Sequence, residues 1–320
     1  MFLPLLHRLL GRRAAPILLY HATTRAESEA ALGGLHNVAP DILRRQLLWM
    51  RGFFDIVSLD AFFESPQPGK AAVTFDDGHP SVFREALPIL RELQMPCTVF
   101  LNGSSLRENT PWRDRVRALL QQDLAEDFLR SYRTTPGRTE GLTARNFYRM
   151  SKTGAVNSRT LAQALDRFWR ERGLDPLPPT GHVSPQDLPK DSLVTYGNHT
   201  LHHYVLSSLS EEEQREEILG NQRLLEEWGF RCSRVFSLPF GNAGDCDAAT
   251  FRILREAGYE GIVYSRNRLN FPRHVGRDRS WPRHQELPLQ DGLVAAERAM
   301  APATLTGLQK QFLGMWARRM

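Results

Sequence analysis

The sequence predicts an α/β fold built on a parallel sheet with crossover helices, and three observations carry that prediction. Short β-branched or aromatic runs recur at Ile17 to Tyr20, Ala71 to Phe75, Cys97 to Leu101, Leu193 to Tyr196, Val235 to Leu238 and Gly261 to Tyr264. Segments with apolar residues at helical spacing lie between several of them, the pattern of strand–helix–strand units. The length of 320 residues suits one large α/β barrel or two ordinary domains.

Each element follows from local chemistry. After the run ending at Phe75, the residues Val82, Phe83, Ala86, Leu87, Leu90 and Leu93 recur at helical spacing, and Pro88 predicts a local kink because it lacks an N–H and crowds the preceding turn. From about Gly103 to Lys190 the alternation stops. This stretch is arginine-rich and holds Trp112, Phe128, Tyr132, Phe147, Tyr148, Phe168 and Trp169. Such rings could stack on sugars beside phosphate-binding arginines, but the stronger expectation is the core of a small helical subdomain. Further on, Ser210 and Glu213 form a capping box for a helix running to Trp228, with Gly229 suited to end it. Asp247 and Gly258 bracket another helix in the same way.

The composition, 41% hydrophobic and 24% charged, excludes a disordered chain. No apolar run reaches the roughly 18 residues needed to span a bilayer. The start lacks a basic region ahead of its apolar stretch and a small-residue cleavage site, which predicts a cytoplasmic protein. Cys97, Cys232 and Cys246 are odd in number and lack metal-site spacing, so reduced packing thiols are expected.

A net charge of +5 and a pI near 9.3 favour anionic neighbours such as phospholipid headgroups, diphosphate-linked glycans or nucleic acid. No nucleic-acid-binding motif accompanies the charge, so nucleic acid ranks lowest among these partners. Apolar residues accompany arginines at both ends. Phe2, Leu5, Leu6, Leu9 and Leu10 sit with Arg8, Arg12 and Arg13; Leu305, Leu308, Phe312, Leu313 and Trp316 sit with Lys310, Arg318 and Arg319. These segments either pack on the barrel or lie on an anionic membrane face.

Two motifs carry chemistry. Thr74-Phe75-Asp76-Asp77-Gly78 places adjacent carboxylates at the end of an apolar run. Neighbouring residues leaving a strand point in different directions, so one aspartate can hold a cation while the other accepts a proton from water. Far downstream, His199-Thr200-Leu201-His202-His203 supplies imidazoles. Spacings of three and four residues both reach the same helical face, so His202 and His203 each remain open as the partner of His199.

These residues carry a resemblance to a known family. Thr74 to Gly78 matches the TFDDG motif of the polysaccharide deacetylases (carbohydrate esterase family 4, the NodB homology domain), and His199 to His203 matches their H-[ST]-x-x-H motif in the expected order. Leu19-Tyr20-His21, Ala86 to Leu90, Cys97 to Leu101 and Leu238-Pro239-Phe240-Gly241 match as well. The resemblance covers most of residues 16–102 and 183–285. It implies an irregular (β/α) barrel of the polysaccharide deacetylase type, with fewer than eight strands, a helical insertion and the site at the strands' C-terminal ends. The implied organisation is an amphipathic segment at 1–15, a barrel from 16–102 and 183–290, a helical insertion at 103–182 and a basic amphipathic segment at 291–320.

The resemblance also assigns roles. It makes Asp77, His199 and His203 the metal ligands, selecting His203 over His202. Asp76 becomes the general base, and the backbone N–H of Phe240 becomes an oxyanion donor beside the metal. The implied cofactor is a divalent metal, with zinc first from the nitrogen-rich ligands and iron, cobalt or nickel also suited. Many members carry arginine two residues before the motif proline, where this chain has Ser237. The residue that orients Asp76 is therefore expected elsewhere, at Arg283 of Trp281-Pro282-Arg283-His284. The late Leu-x-His motif that furnishes the general acid has no clear counterpart, leaving His284 and His21 as candidates.

The expected function is metal-dependent hydrolysis of the N-acetyl group of an N-acetylhexosamine, in a surface polysaccharide or its lipid-linked precursor. The expected partners are an N-acetylated glycan or lipid-linked saccharide and an anionic membrane surface. Two other readings use the same scaffold: a glycan-binding or assembly protein without turnover, and an amidohydrolase of a small non-sugar amide.

Overall fold

The structure, a computed structural model, describes residues 14–25, 37–107, 111–132, 141–174, 183–265, 270 and 280–285, the last stretch as backbone. Eight strands form one sheet: β1 (Ile17–Tyr20), β2 (Asp55–Ile56), β3 (Lys70–Phe75), β4 (Cys97–Leu101), β5 (Val194–Asn198), β6 (Cys232–Ser237), β7 (Gly261–Ser265) and β8 (Ser280–Gln285). Every pairing is parallel. β1 bonds both β3 and β8, so the sheet closes on itself. β2 stands outside this ring, pairing with Lys70 and Ala71 at the start of β3. The ring therefore has seven strands, as an irregular barrel with fewer than eight requires.

Ring strands are covered on both faces, which explains their continuous apolar runs in place of alternation. Every residue of β1, β4 and β5 is buried. Nine α-helices are described: α1 (Pro40–Arg51), α2 (Leu59–Glu64), α3 (Leu87–Glu92), α4 (Trp112–Gln121), α5 (Ala125–Tyr132), α6 (Ala144–Met150), α7 (Ser158–Glu171), α8 (Glu211–Glu227) and α9 (Ala248–Glu256). The kink expected at Pro88 takes the form of a π-helical turn over Val82–Ala86, with Pro88 in the first turn of α3 that follows. Widening the helix before the proline accommodates a ring that cannot donate to the preceding turn.

α4 to α7 lie between β4 and β5. Their aromatic residues form a core, with Phe128 against Tyr132, Phe147 and Phe168 at centroid distances of 5.4–5.5 Å. That core is continuous with Phe236, Leu238, Ile262 and Tyr264 of the barrel. The rings thus pack as a helical subdomain's core, with Tyr148 only partly buried among them. Thr143 and Asn146 cap α6 reciprocally, and the Asn157 side chain caps α7.

α8 begins at the Ser210–Glu213 capping box, with Glu211, Glu212 and Glu213 in its first turn favoured by the helix dipole. Its buried stripe is Gln214, Glu217, Ile218, Asn221, Leu224 and Leu225, and half of these are polar. Asp247 caps α9 as expected. All three cysteines are free. No helix among the described residues is long and apolar enough to cross a membrane. Residues 1–13 and 291–320, where the amphipathic segments were expected, lie outside the described residues.

Candidate metal centre

Asp76 and Asp77 leave the C-terminal end of β3, and His199 follows β5 directly. The ligand atoms of Asp77, His199 and His203 all lie within 4.8 Å of one another. Asp77 Oδ1 is 3.6 Å from Nε2 of each histidine. Ligand atoms about 2.1 Å from one tetrahedral ion are separated by roughly 3.4 Å, so the donor set fits a divalent cation.

The neighbours of His199 prepare it for that task. Its side chain is 2% exposed, and its Nδ1 is 2.9 Å from the carbonyl oxygen of Ser237. A proton on Nδ1 donated to that carbonyl leaves the Nε2 lone pair facing Asp77. Burial pushes His203 down to about 3, outweighing the opposite pull of Asp77, so its imidazole is neutral. Burial pushes the Asp77 carboxyl up, but His203, His21 and His199 outweigh it and hold Asp77 below the ordinary range. Asp77 and His203 are thereby kept in the form that binds metal.

The histidine segment is a loop, which corrects the expectation of two ligands on one helical face. Thr200 and His203 take left-handed backbone conformations, φ 66° and 57°. A ladder of asparagines holds them there. Asn198 Oδ1 accepts from the Thr200 N–H at 2.8 Å and from Asn221 Nδ2 at 2.8 Å, while Asn221 Nδ2 also donates to the Leu101 carbonyl. Asn102 Nδ2 donates to the His199 carbonyl, and Thr200 Oγ1 accepts from the His203 N–H at 3.0 Å.

Glu217 on α8 decides between His202 and His203. Its carboxylate accepts from the His202 backbone N–H at 2.8 Å and lies 2.6 Å from His202 Nδ1. The His202 ring stacks on Tyr204, and its side chain is 41% exposed. His203 is left to meet Asp77. Glu217, Asn221, Asn198 and Asn102 escaped the sequence reading. The available signal for two of them was polar residues in the buried stripe of an amphipathic helix.

Asp76 is 3% exposed, with Oδ2 3.8 Å from His199 Nε2. Ser237 Oγ donates to its two carboxylate oxygens at 3.2 and 3.3 Å. The serine that stands where many members carry arginine thus itself reaches the carboxylate. Arg283 and His284 sit on β8, in register with Ser265 and Leu18, and their side chains lie outside the described residues. His21 directly follows β1 and acts electrostatically on Asp77.

Phe240 lies in the turn after β6 with φ 62°, and its ring meets the His203 ring edge-on at 4.6 Å. Asp77 is also left-handed, at φ 66°. Four non-glycine residues in such conformations around one site store strain that only the surrounding contacts maintain. The insertion contributes to them. Trp112 Nε1–H donates to the His203 carbonyl at 3.2 Å, and its ring meets Phe240.

Comparisons with known proteins agree with this geometry. A family model described as polysaccharide deacetylase matches residues 64–129 and 188–262. A curated peptidoglycan-N-acetylglucosamine deacetylase from Bacillus cereus is 33% identical over 69 residues, which are 22% of this chain and 30% of that protein's length. Two solved structures share the fold. The deacetylase PplD of Streptococcus pyogenes, in complex with acetate, has a TM-score of 0.53 at 16% identity, covering 91% of this chain and 97% of its own. IcaB from Ammonifex degensii has a TM-score of 0.54 at 17% identity, covering 90% and 96%. With the motifs in order on a closed parallel barrel, the chain is similar to the polysaccharide deacetylases, in sequence over residues 64–129 and 188–262 and in fold over most of its length.

Proposed function

We propose that the protein removes the acetyl group from an N-acetylhexosamine of a surface polysaccharide or its lipid-linked precursor, releasing acetate and a free amine. The observation that carries this reading is the meeting of Asp77, His199 and His203 at the strand ends, with the buried Asp76 carboxylate beside them. A divalent cation, zinc by preference for two imidazoles and a carboxylate, supplies Lewis acidity when bound there.

This chain's residues account for the proton movements. Asp76 accepts the proton of the attacking water, and the Ser237 hydroxyl fixes which way its oxygens face. The Phe240 backbone N–H is the proposed donor to the oxyanion formed from the amide carbonyl. The departing amine needs a proton, and His21 and His284 are the proposed sources. Arg283 on β8 is proposed to assist Asp76. The Ser237 contact weighs against a member that has lost turnover, since the position where this chain departs from the common motif still serves the aspartate.

The peptidoglycan deacetylase relative favours an N-acetylated cell-envelope glycan as substrate. The basic net charge and amphipathic ends favour action at the inner membrane surface from the cytoplasm. The test is acetate release from a panel of N-acetylated oligosaccharides and lipid-linked sugars by metal-loaded protein. Asp76→Asn is expected to keep its metal and lose turnover by orders of magnitude. Full activity in that variant would overturn the base assignment, and no release by metal-loaded wild type would overturn the reaction.

A further inference from the structure

The insertion carries a group of cations that the proposed chemistry does not use. Arg113, on α4, is 5% exposed, an unusual position for a guanidinium. Its carbon lies 4.8 Å from the Trp112 ring centroid, 5.1 Å from that of Tyr148 and 5.6 Å from that of Phe240. Nη1 donates to Ser151 Oγ at 2.8 Å, while Nη2 is buried without a partner among the described residues. A buried donor left in that state costs free energy that a bound acceptor would recover.

Two more cations converge on Tyr148. Lys152 Nζ lies 3.7 Å from the Tyr148 ring centroid, and Arg117 acts on the same phenol. Burial pushes the Tyr148 hydroxyl up, but Lys152, Arg117 and Arg113 outweigh it and hold it at about 8. Burial and the charge of Arg117 push Arg113 down to about 10, so it remains protonated near neutrality. Asp114, bound to Arg117, offsets one of the three positive charges. Tyr148 and Lys152 are only half-buried, which leaves the cluster a face to solvent.

We propose that Arg113, Arg117, Lys152 and Tyr148 form a subsite for an anionic group, a phosphate or a carboxylate, carried by the glycan whose acetyl group enters the metal centre. The proposal rests on the deacetylase reading above and deepens it by naming the substrate's charge. Phe240 links the two sites: its ring packs against both His203 and the Arg113 guanidinium. The insertion thereby selects glycans bearing a negative group near the acetylated sugar. Phosphate would come from a lipid diphosphate linkage, and carboxylate from a sugar acid.

Calorimetric titration of the full-length, metal-loaded protein tests this without turnover, with inorganic pyrophosphate as the phosphate probe and glucuronate as the carboxylate probe. At least one probe is expected to bind wild type, and Lys152→Met and Arg117→Met are each expected to weaken it about tenfold. Asp77→Ala, which removes a metal ligand, is expected to leave that binding in place. The probe that binds identifies the source of the anion. No binding of either probe, or binding lost in Asp77→Ala but kept in the two cation variants, would overturn the proposal. Anion binding without acetate release from any substrate would instead sink the deacetylase reading while leaving the subsite.

Discussion

Gly241→Ala tests how tightly the turn beside the site is built. Gly241 follows Phe240 at the end of β6 with φ 76°. A Cβ there would lie 2.2 Å from the backbone nitrogen of Ser265 and 2.7 Å from its Cα, so the end of β7 would have to move. Two comparison variants separate the contributions. Gly244→Ala has no positive φ and meets nothing within 4 Å, so its effect should stay within about 0.5 kcal/mol. Gly258→Ala also meets nothing within 4 Å but has φ 80°, so it should bear the left-handed cost alone, about 1–2 kcal/mol. Gly241→Ala bears that cost and a backbone overlap worth about 1–3 kcal/mol more. With a urea m-value of about 3 kcal/mol/M, the expected midpoint shifts are roughly 0.5 M for Gly258→Ala and about 1 M or more for Gly241→Ala. Turnover should fall only in Gly241→Ala, because Phe240 shares its turn. Equal unfolding midpoints for Gly241→Ala and Gly258→Ala would refute the overlap argument.

Other expectations concern the ligand set. His203→Ala should lose bound metal, measured by elemental analysis, while His202→Ala retains it; the reverse result would mean that Glu217 does not hold His202 aside. Trp112→Phe keeps the ring but removes the hydrogen bond to the His203 carbonyl, so metal affinity in a chelator competition should fall about tenfold or more with the unfolding midpoint little changed. In metal-free protein, His203 titrates near 3 when folded against about 6.5 unfolded. The unfolded chain takes up a proton that the folded one refuses, so stability should decline as pH falls from about 6.5 towards 3, by up to about 1.4 kcal/mol per unit. His203→Gln should flatten that slope, and an unchanged slope would place the titration elsewhere.

Local chemistry made much of this fold readable in advance. The apolar runs located six of the eight strands, and capping residues such as Ser210 and Asp247 located helix starts. β2 escaped because two residues carry no periodicity, and β8 because Pro282 and four polar residues leave it little apolar character. The site was legible as residue types but not as geometry. Nothing local to His199-Thr200-Leu201-His202-His203 says which imidazole turns inward, because Glu217 makes that choice from another element. Ser237 read as a departure from a motif, since its use depends on β3 lying within hydrogen-bond reach of β6 across the barrel. The left-handed turn at Thr200 was equally hidden, being held by asparagines on β5, α8 and the segment after β4.

The double pairing of β1 with β3 and β8 makes the order of strands around the ring independent of where the chain starts. Cutting the polypeptide inside the β4–β5 connection, and joining its original ends with a linker long enough to span them, would preserve every hydrogen bond of the ring. It would also divide the ligands between the two ends of the new chain, with His199 near its start and Asp77 near its finish. Cation binding would then report directly on whether those ends had met, turning the metal centre into a gauge of barrel closure.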